Sequence, residues 1–201
     1  MKLYFKAGAC SLAPHIVIHE LGLPHEAIPV DLATKRTKAG ADFTAINPKG
    51  YVPAIALDDG TVLSECGAVL QYLADRKPAA GLAPANGTLE RYQLQEWLAY
   101  ISTELHKTFG ALFNPAATDA TKEAALKLFA RRVQYVEDRL AGRDYLMGSQ
   151  FTAADAYLYT VLGWTKYFNV DLGQWPRVKA YHARIAARPA VIATHAAEAA
   201  A

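Results

Sequence analysis

The sequence predicts a small α/β domain followed by an all-α domain. Short apolar runs alternate with helical periods before residue 77, and after residue 88 only helical periods remain. Between the two regimes, the segment from Lys77 to Gly87 holds two prolines and two glycines and reads as a linker. The expected domains are therefore 1–80 and 88–201.

Lys2–Phe5 is the first strand, and Ser11–Leu21 a helix that stops at Gly22. Ala27–Asp31 and Pro53–Leu57 are the next strands; Asp58-Asp59-Gly60 turns the chain into Thr61-Val62-Leu63 as a hairpin. A helix from Glu65 to Ala74 follows, with Ser64 as its expected N-cap and Val69, Leu70 and Leu73 facing inward. The order β-α-β, hairpin, α is the thioredoxin-like arrangement. Beyond the linker, helices are expected at Thr88–Phe113, Lys122–Ala141, Ala153–Phe168 and Gln174–Ala187. Thr152-Ala-Ala-Asp155 has the form of a capping box, and the Ala-rich tail after His195 is expected to fray.

The 201 residues are 52% hydrophobic and 20% charged, which suits a soluble globular chain. A net charge of +2 without a dense Lys/Arg block argues against nucleic acid as a partner. Lys6 interrupts the first apolar run, so no signal-peptide core forms, and no stretch reaches the roughly 18–20 apolar residues of a membrane span. Two cysteines make no disulfide framework, which points to a reducing, cytoplasmic compartment.

Cys10 precedes a helical pattern whose first turn contains Pro14. A thiol there faces unpaired backbone N–H groups and the positive end of the helix dipole, so a lowered pKa is expected. Cys10-Ser-Leu-Ala13 lacks the second thiol of C-x-x-C, so the site must hold a small thiol or pass a disulfide on. Downstream, Val52-Pro53 enters a strand; a cis bond there would turn Val52 N–H and C=O outward for a peptide-like ligand. The helix start at Ser64-Glu65-Cys66-Gly67 suits a ligand carboxylate, and Glu65 suits an ammonium. Glutathione carries both groups. On the Thr88–Phe113 helix, Leu94, Leu98, Ile101 and Leu105 form an apolar stripe opposite Ala99, Thr103, His106, Lys107 and Gly110. Phe109, Phe113, Trp164, Tyr167 and Phe168 offer apolar walls for a pocket, although helix cores use the same residue types. No metal-ligand set is singled out.

MKLYFKAGACSLAPHI, DLATKRT, NPKGYVPAI, ISTELHK and TAADAYLYTVLGW together resemble the bacterial beta-class glutathione transferases over essentially the whole chain. The resemblance implies the glutathione transferase fold, a cis Val52–Pro53 bond and a homodimer. It implies glutathione as co-substrate, held by Cys10, Lys35, Val52 with Pro53, Glu65, Cys66, Thr103, His106 and Lys107, with Cys10 and His106 as the catalytic pair. The implied activity is conjugation of the glutathione thiolate to small hydrophobic electrophiles in detoxification, with thiol–disulfide exchange at Cys10. In such a site Cys66 would lie at the far end of the tripeptide from Cys10. A glutathione-dependent reductase or dehalogenase, or a non-catalytic ligand-binding member, are the alternatives. Three positions depart from the family pattern: Cys66 where many relatives carry Gly or Ser, Ala99 where Asn is common, and Phe5 in place of a tyrosine. Tyr4 points to the opposite face of its strand from residue 5, so tyrosine activation of the thiol is not expected.

Overall fold

The computed structural model describes all residues, Met1–Ala201. The N-terminal half runs β1 (Lys2–Phe5), α1 (Leu12–Leu21), β2 (Glu26–Asp31), β3 (Arg36–Thr37), β4 (Ala54–Ala56), β5 (Val62–Ser64) and α2 (Cys66–Asp75). The sheet order is β3-β2-β1-β4-β5; only β1 and β2 are parallel, as the intervening helix requires. Alternation on β1 sends Leu3 and Phe5 into the core with Ile16, Val17, Leu70 and Leu73 of α1 and α2. Tyr4 goes to the other face, in a small cluster with Val30, Phe43, Val52 and Ala54. The two-residue β3 lies outside the expected strands: Arg36 and Thr37 pair with Asp31 and Val30, in a stretch rich in Lys and Arg.

The second half is helical: α3 (Leu89–Tyr100), α4 (Lys107–Phe113), α5 (Asp119–Arg139), α6 (Ala153–Leu162), α7 (Pro176–Ala186) and α8 (Pro189–Ala200). Its core is continuous with that of the first half through α1 against α6. Arg91 of α3 grips Asp75 of α2 with two parallel bonds of 2.8 Å.

Several expectations need correction. Ser64 ends β5, and the N-cap of α2 is Glu65, held at φ 74°. The predicted Thr88–Phe113 helix is interrupted by a π segment, Ile101–His106, in which the Lys107 N–H reaches back to Ser102 O. The Ala153–Phe168 period stays α-helical only to Leu162 and then tightens to a 3-10 helix, Gly163–Phe168. The tail does not fray: Pro189 at the first turn starts α8. Its Glu198 is buried, where it accepts from Gly8 N–H (3.0 Å) and pairs with His15 Nδ1 (3.0 Å). Alanine-rich composition hides this anchor, because one buried carboxylate outweighs many small exposed residues. Glu198→Ala leaves His15 and the Gly8 N–H without partners. We expect a loss of about 3 kcal/mol, read as a fall of roughly 6–12 °C in Tm by calorimetry; an unchanged Tm would mean the tail carries no stability.

Candidate active site

The loop before α1 is built by its own side chains. Ser11, fully buried, accepts from Lys6 N–H (3.1 Å) and donates to Lys6 O (3.2 Å), while Trp164 Nε1 donates to Gly8 O (2.8 Å) across the half-to-half contact. These bonds hold Cys10 half-buried at the head of α1, with its Sγ donating to Val52 O at 3.2 Å. The expected lowering of its pKa is reversed. Burial pushes the Cys10 thiol up to about 12; the Cys10 and Ser11 N–H groups pull the other way, and the Glu65 carboxylate adds to the rise. The next N–H groups, on Leu12 and Ala13, are already taken by Ala9 O and Cys10 O, so little of the helix end is left for the sulfur. Cys10 rests as a thiol.

Beside it lies a cleft of about 650 Å³ whose floor is the Val52-Pro53 segment and the first turn of α2, Cys66–Ala68. The Val52–Pro53 bond is cis. Glu65 stands at the rim, its Oε1 accepting from Lys49 Nζ (2.5 Å) and Tyr51 OH (2.9 Å). Those two bonds hold its carboxyl below the ordinary range, and they leave Oε2 for a cation. Cys66 is buried and donates to Cys10 O at 3.6 Å, so it packs on the backbone of Cys10 rather than far from it. Burial raises its thiol well above the ordinary value.

The opposite wall comes from α3, the π segment and the first residue of α4: Gln95, Ala99, Ser102, His106 and Lys107. In an unbroken α-helix Lys107 would lie about 120° around the axis from Gln95. The wider π turn rotates the following residues back, and Lys107 faces the cleft beside His106. His106 is pushed down to about 4, mainly by burial and also by Lys107, so its imidazole is neutral. Its Nδ1 is 2.6 Å from the hydroxyl of Tyr157, a phenol that burial keeps protonated. The tautomer in which the phenol donates to Nδ1 puts the His106 hydrogen on Nε2, a donor for an anionic sulfur.

A second cavity, of about 570 Å³, opens on the other side of Cys10. Phe109, Phe113, Trp164 and Tyr167 wall it, and Phe168 stands behind, 4.9 Å from the Phe113 ring. Ala9, Cys10, Leu32, His106 and Lys107 line both spaces and form the rim between them.

Cys10, Val52, Pro53, Glu65, Cys66, His106 and Lys107 are thus brought together. Lys35 and Thr103 are not: Lys35 Nζ donates to Gly50 O (2.7 Å), and Thr103 donates to Ala99 O (3.1 Å). Tyr4 and Phe5 line neither space. Tyr157 was missed in the sequence. It sits in a helix that is buried all round, where periodicity gives no reason to single out one tyrosine.

Comparison with known proteins adds a family. The profile described as glutathione S-transferase, N-terminal domain, matches residues 7–76, and that of the C-terminal domain matches residues 100–189. The chain is 44% identical to glutathione S-transferase GstA of Escherichia coli O157:H7 over 95% of each. A sphingomonad glutathione S-transferase solved in complex with glutathione superposes with a TM-score of 0.97 at 48% identity, covering 100% of both chains. The beta-class glutathione S-transferase of Sphingomonas chungbukensis superposes with a TM-score of 0.96 at 44% identity over 98% of both.

Proposed function

This chain belongs to the glutathione S-transferase family, in its bacterial beta class, and is a glutathione transferase with glutathione as co-substrate; from that premise we propose how its site works. The 650 Å³ cleft takes the tripeptide, and the aromatic cavity takes a small hydrophobic electrophile. The observation that carries this reading is the shared rim, where Cys10, His106 and Lys107 face both spaces.

In the cleft, Val52 N–H and C=O pair with the cysteinyl part of glutathione in strand fashion, with Pro53 shaping the turn. Glu65 Oε2 meets the γ-glutamyl ammonium, and the N–H groups at Cys66 and Gly67 meet the adjacent carboxylate. Lys35 would reach the glycine carboxylate only by leaving Gly50 O, and Thr103 would act only after its hydroxyl turns from Ala99 O. The neutral His106 donates through Nε2 to the glutathione sulfur as it becomes a thiolate, and Lys107 adds positive field. Lowering the glutathione thiol pKa by two units needs about 2.7 kcal/mol of differential stabilisation, within reach of these donors. Attack on the electrophile follows in the aromatic cavity.

Cys10 supplies a second reaction. Its thiolate attacks one sulfur of glutathione disulfide; the S–S bond breaks, a Cys10–glutathione mixed disulfide forms, and the leaving glutathione thiolate takes up the proton. A second thiol then releases Cys10. The two free thiols fit a reducing cytoplasm, and no helix is long and apolar enough to cross a membrane. The protein works as a homodimer, which light scattering should report as twice the 21.8 kDa chain mass.

The test is binding to immobilised glutathione together with turnover of an activated aryl halide. Retention and saturable conjugation are expected. Retention without turnover of aryl halides, epoxides or enones would overturn the catalytic reading in favour of a binding protein.

A further inference from the structure

α1 carries a second cluster that the cleft does not use. His15 and His19 lie one turn apart on α1, and His25, just before β2, closes on them. The ring centroids are 5.1 Å apart for His15–His19, 5.3 Å for His15–His25 and 5.6 Å for His19–His25. One ring nitrogen from each lies within 4.8 Å of the other two. The Nε2 atoms of His15 and His19 are buried and have no hydrogen-bond partner. His15 is only 1% exposed, so its orphan nitrogen is buried beside the other two rings without access to water.

The Nδ1 atoms of His15 and His25 already have partners. His15 Nδ1 pairs with Glu198 Oε1 at 3.0 Å, and His25 Nδ1 is 3.1 Å from Leu23 O. A carboxylate behind one imidazole and a backbone carbonyl behind another are the supports that fix ring orientation and tautomer in metal-binding histidines.

We propose that His15, His19 and His25 bind a borderline divalent transition ion of the Zn²⁺ class, with solvent as the fourth ligand. Three imidazole nitrogens and no carboxylate among the ligands disfavour Ca²⁺ and Mg²⁺, which take oxygen donors. Metal–nitrogen bonds near 2.0–2.1 Å in a tetrahedron place the nitrogens about 3.4 Å apart. The cluster must therefore tighten by about 1.4 Å at most, which side-chain torsions of the half-exposed His19 and His25 supply. An ion there clasps α1 to the segment entering β2, and through Glu198 to α8. The other end of α1 holds Cys10, so the ion acts as a structural clasp on the helix that carries the reactive thiol.

The experiment is a cobalt(II) titration of the full chain, since cobalt reports its ligands by absorption. Binding of one ion per chain is expected, with four-coordinate visible bands and no sulfur-to-cobalt charge-transfer band. His19→Gln and His25→Gln are each expected to weaken it by more than about tenfold, while conjugation of glutathione stays at the parent level. Zn²⁺ should displace the cobalt, and should raise Tm in the parent protein but in neither variant. Absence of saturable binding at millimolar cobalt would overturn the proposal. So would binding that shows the sulfur band and survives both substitutions, because the ion would then sit at Cys10.

Discussion

Glu65→Gln is expected to lower kcat/KM for glutathione by roughly 30–150-fold, about 2–3 kcal/mol, the usual cost of truncating one side of a charged hydrogen bond to a ligand. The loss should fall mostly on KM, since in the proposed pose the carboxylate meets the γ-glutamyl end and not the reacting sulfur. Lys49 and Tyr51 both donate to Oε1, so the side chain is aimed before the ligand arrives. The backbone sharpens the test. Glu65 sits at φ 74°, a conformation that costs a residue with a Cβ on the order of 1–3 kcal/mol. Glu65→Gly should therefore bind glutathione at least as poorly as Glu65→Gln while keeping Tm at or above the parent value. A glycine variant that binds normally, or one that unfolds earlier, would contradict a strain held for recognition. Acid should weaken binding only below the ordinary carboxylate range, because Lys49 and Tyr51 hold the Glu65 carboxyl down.

Cys10→Ala is expected to reduce exchange with glutathione disulfide by at least about 100-fold, since the attacking sulfur is gone, while conjugation changes by less than about tenfold, since there the nucleophile is the sulfur of glutathione. The acidity of Cys10 gives an independent reading. With its thiol pushed up to about 12, the thiolate fraction rises with pH throughout the working range. Alkylation of Cys10 in the free protein, followed by mass spectrometry, should accelerate about tenfold per pH unit between roughly pH 7 and 9, with no plateau. A plateau near neutrality would show an activated thiolate and would place Cys10 among the low-pKa cysteines. Cys66, buried and raised in the same direction, should remain unmodified in the folded chain.

Much of this was legible because the signals are local. Alternating β1, Gly22 ending α1, the Asp59-Gly60 hairpin and the prolines of the linker each follow from chemistry within a few residues. The residues that line the candidate cleft were legible for another reason: Cys10, Val52-Pro53, Glu65 and His106-Lys107 sit in motifs that resemble one family. What escaped depends on distant partners. The thiol at a helix start reads as acidic until the Ala9 and Cys10 carbonyls are seen to occupy the Leu12 and Ala13 N–H groups, and until burial of the sulfur is counted. Tyr157 gains a role only because α6 brings it to His106, and Thr103 loses its expected place on the cleft wall. His15, His19 and His25 straddle a helix end and a loop, so their meeting is a tertiary fact.

The bond from Gly8 N–H to Glu198 spans 190 positions of the chain. On a ribosome the first strand and the cysteine loop emerge 190 positions ahead of their anchor. Until α8 leaves the exit tunnel, the nascent chain holds an α1 whose His15 lacks its carboxylate and a loop whose Gly8 N–H is unclaimed. The cysteine loop and α1 therefore gain their last supports only once α8 has been made and packs against them.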